Sequence, residues 1–271
     1  MSPLDAVLVL LAGVGAGTIN SIVGSGTLIT FPTLLFLGYP ALTANVSNNI
    51  GLVAGGLSAS WGYRRELSGQ GGALRRLLPL SLVGSVVGAT LLLVLPAAAF
   101  RAIVPVLIVL ALVLVVTGPR MQRAAAARRA TASADITPAG SWAAGSAAAG
   151  NWRAVALPAG VLLAGMYGGY FGAAQGVLLM GVFSALSSEP IQRLNGFKNV
   201  LVTLVNFVAA IAFLLFARDH VQWPIVGLIA IGSAIGGWLG AHVGRRLPPL
   251  VLRGVIVTVG VLAIVKMVWF P

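Results

Sequence analysis

The 271-residue chain contains no cysteine, and only 8% of its residues are charged. A disulfide scaffold, a thiolate metal site and a thiol nucleophile are therefore all excluded. A soluble domain carries about a quarter charged residues. This chain lacks the side chains to solvate a globular surface. Acidic residues are scarcest: five Asp+Glu stand against 17 Lys+Arg, a formal charge of +12. Disorder over most of the chain is excluded too, because 58% of it is hydrophobic and unfolded chains combine low hydrophobicity with high charge. The start lacks a basic n-region and opens directly into a long apolar stretch, so no cleavable signal peptide is expected.

What the chain does contain is a series of long apolar runs with few charges, and the expected class is an all-α polytopic membrane protein. The runs cover 6–22, 27–37, 41–63, 76–95 and 98–118, then 154–171, 177–187, 190–217, 222–243 and 250–269. Residues 119–152 differ: Arg120, Arg123, Arg128 and Arg129 sit among Ala, Ser, Thr and Gly. They read as a basic cytoplasmic linker, with a short helix near 120–130 allowed. The expected units are a first transmembrane repeat over 1–118 and a second over 153–271. In a soluble protein +12 would point to nucleic acid. Here most basic residues lie between apolar runs, so the positive-inside rule accounts for them and no nucleic-acid partner is expected. Arginine outnumbers lysine 15 to 2, as in a GC-rich bacterial genome.

The two halves match residue by residue. At one offset Gly26, Pro40, Asn45 and Asn49 meet Gly176, Pro190, Asn195 and Asn199. At a nearly equal offset Gly84, Gly88, Pro96 and Arg101 meet Gly236, Gly240, Pro248 and Arg253. Ordered matches at breakpoints indicate duplication, the usual build of a secondary transporter.

The second run of each half is too short to span a bilayer: eleven residues cover roughly 17 Å of a core about 30 Å thick. Either runs one and two form a single broken span, or they form a re-entrant pair. The re-entrant reading gives three full spans per repeat and inverts the repeats. Positive charge favours it. Inverted repeats leave only Arg101, Arg218 and Lys266 outside, whereas parallel repeats put Arg101, Arg193, Lys198, Arg245, Arg246 and Arg253 outside.

The Gly-rich breaks are the first candidate site. Gly24, Ser25, Gly26 and Thr27, with Gly172, Gln175 and Gly176, form an anion cradle in this reading. Glycines admit close backbone approach, and the N-termini of the short helices offer N–H groups and a positive dipole end. The alternative is close helix packing through small residues, a role also expected of Gly13-Gly17 and Gly165-Gly169. The second candidate is a polar stripe. Asn45, Asn48 and Asn49 share a helix face, and Asn195, Lys198 and Asn199 repeat the spacing, with Thr203 and Asn206 further along. Intramembrane amides face a cavity or one another. Interhelical hydrogen bonding and snorkelling of Lys198 are the alternatives. Lys198 is the residue best suited to neutralise an anion. Trp61, Tyr63, Trp223 and Trp269 read as interfacial aromatics. Pairing of His242 with Ser25, as in an intramembrane protease, is the weakest reading. No metal-binding cluster, cofactor motif or paired carboxylates appear within the spans.

The run Gly24–Pro32, then Gly38-Tyr39-Pro40, Ala44-Asn45 with Asn48-Asn49, and Gly62–Leu67 resembles the TauE/SafE sulfite exporter family. The second break and Asn195–Asn199 resemble its repeat. Thr27 and Ala174-Gln175 stand where the family commonly carries a Gly-Gly-Gly run. The resemblance implies movement of sulfite, organosulfonates or related small anions across a bacterial inner membrane. The combined expectation is a secondary transporter using alternating access, with a small anion, a lipid bilayer, an H+ or Na+ coupling ion and a second copy of the chain as partners. A passive channel and an intramembrane enzyme are the alternatives.

Overall fold

A computed structural model describes residues 1–132, 152–187, 189–243 and 249–269. Among them are ten α-helices and no strand. In the first half these are α1 (Pro3–Ile22), α2 (Thr27–Phe36), α3 (Ala41–Gly62), α4 (Gly71–Val94) and α5 (Ala97–Ala132). The second half has α6 (Trp152–Tyr170), α7 (Gln175–Leu186), α8 (Ile191–Phe216), α9 (Trp223–Val243) and α10 (Pro249–Trp269). A 3₁₀ turn, Arg218–His220, joins α8 to α9.

Local sequence explains the boundaries. Ser2 caps α1 through its hydroxyl, which accepts from the Asp5 N–H at 3.1 Å, and the Asp5 carboxylate accepts from the Ser2 N–H at 2.8 Å. Pro3 then occupies the first helical position, where its missing N–H costs nothing. Helices α3 and α8 both start after a proline, Pro40 and Pro190, with nearly identical backbone angles. Gly24 and Gly172 hold φ of +86° and +78° at the two breaks, a region where a Cβ is penalised.

Two boundaries depart from the sequence reading. Helix α5 runs on to Ala132, through the first part of the expected linker. Residues 133–151 lie outside the described residues. Helix α4 begins at Gly71, which puts Arg75 and Arg76 inside its first turns rather than before it. Among the described residues five helices are long and apolar enough to cross a membrane: α1, α4, the stretch Ala97–Ala124, α8 and α9. Helix α3 is long enough but falls short in hydropathy, because its asparagines and serines dilute it.

The short helices fold back on their predecessors. A Cβ on Gly15 of α1 would lie 3.7 Å from the Ile29 side chain of α2. A Cβ on Gly160 of α6 would lie 3.5 Å from the Val182 Cβ of α7. On one continuous helix residues 160 and 182 would sit about 33 Å apart. Both breaks are therefore hairpins. Their arms are unequal, because α1 has 20 residues and α2 has 10.

Small residues set the directions of the long helices. Gly13 of α1 faces Gly232 of α9, Gly17 faces Gly237, and Ser21 meets Gly240, so α1 and α9 run parallel. Gly51, Gly55 and Gly62 of α3 meet Ile229, Ser233 and Ala241, so α3 runs parallel to α9 and hence to α1. In the same way Gly84 and Gly88 of α4 meet Gly165 and Tyr170 of α6. By contrast Gly56 of α3 meets Thr203 of α8 while Tyr63 and Leu67 meet Gly196, so α3 and α8 run antiparallel. The pairing is reciprocal between halves: α1 with α9 and α4 with α6, α3 with α9 and α4 with α8, α2 with α10 and α5 with α7. Glycine, with no side chain, lets these backbones touch, and dispersion packing substitutes for a hydrophobic drive that lipid does not supply.

The outer surface is apolar, with Leu4, Leu11, Val106, Leu215 and Ile231 exposed. Trp61 and Trp223 are exposed as expected of interfacial aromatics, and the Arg64 guanidinium covers the Trp61 ring. Tyr63 corrects that group: it is buried, packed against Gly196. The Trp269 side chain lies outside the described residues.

Candidate functional site

The two hairpin tips touch each other. The Gly176 N–H donates to the Gly24 carbonyl at 3.0 Å, and a Cβ on either glycine would strike the backbone of the other. Glycine at both positions is thus a steric requirement of tip-to-tip contact, not only of the local turn. The α7 amides are largely satisfied here. Gly176 donates to the opposite tip, while Val177 and Leu178 donate to the Ala174 carbonyl. At the α2 start Leu28 and Ile29 donate to the Ser25 and Gly26 carbonyls, and the Gly26 N–H reaches Asn20 Oδ1 at 3.5 Å.

Around the tips lie the two polar stripes. On one side Lys198 Nζ donates to the Ser21 and Asn20 carbonyls at 2.8 and 3.1 Å, and Asn199 Nδ2 donates to Ser21 at 3.2 Å. These carbonyls end α1, where the helix dipole is negative and backbone acceptors are otherwise orphaned. On the other side Asn45 Nδ2 donates to the carbonyl of Tyr170, the last residue of α6, at 3.3 Å. Each half's third helix therefore caps the other half's hairpin. Asn48 instead ties its own hairpin, accepting from the Thr30 hydroxyl and donating to Thr27 Oγ1. Asn49 and Thr27 both stand beside Gly172, their Nδ2 and Oγ1 3.9 Å from the position its Cβ would take.

Lys198 is completely buried. Its side chain crosses Gly176, with Cδ 3.0 Å from that glycine's Cβ position. Its hydrogen-bond acceptors are carbonyls, and two of its three N–H groups are used. Several buried polar atoms around the two breaks have no partner among the described residues: Ser25 Oγ, both polar atoms of Gln175, Asn45 Oδ1, Asn49 Oδ1 and Ser21 Oγ. Unsatisfied buried groups cost about 1–3 kcal/mol each, so such a cluster calls for a ligand or water.

The structure brings Gly24, Ser25, Gly26, Thr27, Asn45, Asn48, Asn49, Gly172, Gln175, Gly176, Lys198 and Asn199 to one buried region. Asn195 stands apart, only half-buried near the start of α8, with Oδ1 unpartnered. Thr203 and Asn206 are buried further along, and Thr203 bonds Ser60 across the α3–α8 contact. The His242–Ser25 pairing fails. His242 is exposed and stacked on Trp238, whose carbonyl its Nδ1 contacts. Asn20, Ser21 and Thr30 were missed. The signal available was two adjacent polar residues ending an otherwise apolar run.

The family model for the sulfite exporter TauE/SafE matches residues 9–267. The "Probable membrane transporter protein ORF9" of Sinorhizobium sp. is 26% identical over 259 residues, covering 94% of this chain and 89% of that protein. The "Probable membrane transporter protein YfcA" of Escherichia coli K12 is 23% identical over 269 residues, covering 99% and 91%. A "Probable membrane transporter protein" of Haemophilus influenzae is 23% identical over 270 residues, covering 98% and 96%. No solved structure gives a significant match.

Proposed function

This chain belongs to the sulfite exporter TauE/SafE family, making it a multi-pass bacterial inner-membrane transporter and not an enzyme, and from that premise we propose that it carries a small sulfur oxyanion or organosulfonate. One observation carries the reading: a fully buried ammonium at two touching hairpin tips, whose hydrogen-bond acceptors among the described residues are carbonyls and not carboxylates. A buried charge needs a partner, and its third N–H is available to an oxyanion. The unpartnered Ser25 and Gln175 groups supply neutral donors on the two tips. Entry of the anion exchanges the Gly24–Gly176 contact for contacts to the ligand, and alternating access follows when the tips part toward one side or the other.

The helix directions support a re-entrant topology. A re-entrant α1–α2 pair requires α1 and α3 to run parallel, as they do, whereas a single broken span requires them antiparallel. The antiparallel α3 and α8 support inverted repeats. With the basic loops inside, both termini then face the periplasm. An H+ or Na+ coupling ion, assembly as a homodimer and the division into two repeats joined by a basic cytoplasmic linker belong to the same proposal.

Thermal unfolding of the purified protein with sulfite, sulfoacetate, thiosulfate and carboxylates tests the site. Anion-dependent stabilisation is expected for the wild type and none for Lys198→Ala. Full retention in that variant removes Lys198 from the site. Counterflow in proteoliposomes separates a carrier, which shows it, from a channel, which does not.

A further inference from the structure

Helices α5 and α10 occupy matching places in the two halves and pack on each other, Gly260 against Leu112. Two arginines come together where this contact ends. Arg253 lies in the second turn of α10, seven residues before Gly260, and Arg123 lies eleven residues after Leu112 on α5, so both fall on the faces that meet, toward the same end of the seam, and the Arg123 charge opposes that of Arg253. Arg253 Nε is buried and has no acceptor among the described residues. Arg123 is exposed, and its Nε donates to the Pro119 carbonyl of its own helix at 3.4 Å, with no other acceptor among the described residues. This is the basic end of the bundle: Gly62, at the end of α3 just before Arg64 and Arg65, packs on Ala241 near the end of α9. Like charges held together with a buried donor unsatisfied are unfavourable twice over, and one oxyanion between them relieves both terms.

The surroundings identify the anion. Along α5, about two turns from Arg123, Val116 is an exposed apolar side chain, and exposed Val113 lies a turn further on. A cationic fork at the end of an apolar, lipid-facing strip fits a molecule that is anionic at its head and apolar along its tail. Guanidinium matches phosphate with two parallel hydrogen bonds, and basic pockets between transmembrane helices on the cytoplasmic side take phospholipid headgroups. We infer that Arg253 and Arg123 clamp the phosphate of an anionic phospholipid of the inner leaflet at the α5–α10 seam. This site is separate from the hairpin tips and does not depend on which anion the tips carry.

Native mass spectrometry and thermal unfolding of the full chain in detergent test it, with three additives: phosphatidylglycerol, phosphatidylcholine with the same acyl chains, and inorganic phosphate. Phosphatidylglycerol is expected to stay bound and raise Tm, with weaker effects from the other two. Arg253→Gln and Arg123→Gln should each weaken it about fivefold, while Arg101→Gln, at the position matching Arg253 in the first half, should not. Arg123 is exposed, so its variant keeps the test open if Arg253→Gln misfolds. Wild-type lipid retention in the Arg123→Gln and Arg253→Gln proteins overturns the inference. An equal response to phosphatidylcholine also overturns it, and inorganic phosphate matching the lipid's effect assigns the pair to a soluble anion instead.

Discussion

Lys198 shows how one residue acquires two roles. Its ammonium ends α1, taking two carbonyls that nothing else in that helix satisfies, and it is buried with one donor left over. Lys198→Ala therefore removes a cap as well as a charge, and stability and anion response should both fall. Lys198→Arg restores the charge but not the compact head, so it should recover stability better than anion response. Parallel measurement of Tm without anion and of the anion-dependent shift separates the two roles. Gly24 makes a cleaner steric case. Its φ is positive and Gly176 backbone fills the space beside it. Gly24→Ala should destabilise by about 1–3 kcal/mol from overpacking alone, with the backbone strain added. Gly227→Ala, at a helical position with open space around it, should be neutral or slightly stabilising, since alanine is the better helix former. Chemical unfolding of the two variants side by side checks the contrast. An unaltered Gly24→Ala protein would mean the tips do not touch.

At the scale of elements, the sequence located the breaks but left their geometry open. Gly24–Thr27 and Gly172–Gly176 interrupt apolar runs, and that interruption is visible in any window of hydropathy. Whether the chain continues through such a break or reverses depends on contacts between residues far apart along it. Ile29 against Gly15 and Val182 against Gly160 are those contacts. Because the chain has no cysteine, a two-cysteine variant reports without background. Gly160→Cys with Val182→Cys places the Cβ atoms at 3.5 Å, within the range a disulfide accepts. Mild oxidation should cross-link them within one chain, seen as a mass loss of two hydrogens with no free thiol to alkylate. Two thiols that remain fully alkylatable would rule out the hairpin. The linker shows the opposite limit. Alanine and arginine favour helix, yet the segment reads as a break in character because its apolar run ends, and α5 carries on to Ala132.

For the whole molecule, the residue matches between the two halves are accompanied by reciprocal packing in space. The matched glycines Gly84 and Gly236 do not meet each other. Each instead meets the first helix of the opposite half, Gly84 on α6 and Gly236 on α1. Asn45 and Asn199 behave alike, each bonding the end of the other half's hairpin. Neither half therefore completes its own core. Separately expressed halves should fail to accumulate alone and recover on co-expression, which immunoblots of membrane fractions would read. A reporter fused at the C-terminus should be inactive if it needs the cytoplasm, and activity there excludes the inverted arrangement.

The sequence by itself determined what depends on composition and on order along the chain. Sparse charge and long apolar runs dictate a membrane protein, the matched breakpoints point to a duplication, and the lysine within a stripe of amides marks a polar centre. Tertiary structure decided what depends on which surfaces meet. Lys198 points at the end of α1, Tyr63 turns inward, His242 outward, and the two tips close on each other through Gly24 and Gly176. The physical reason is that transfer free energy sums over residues in any order, so a sequence reports it directly. Hydrogen-bond partners and backbone contact are pairwise, and a chain folded through its opposite half chooses those pairs only in three dimensions.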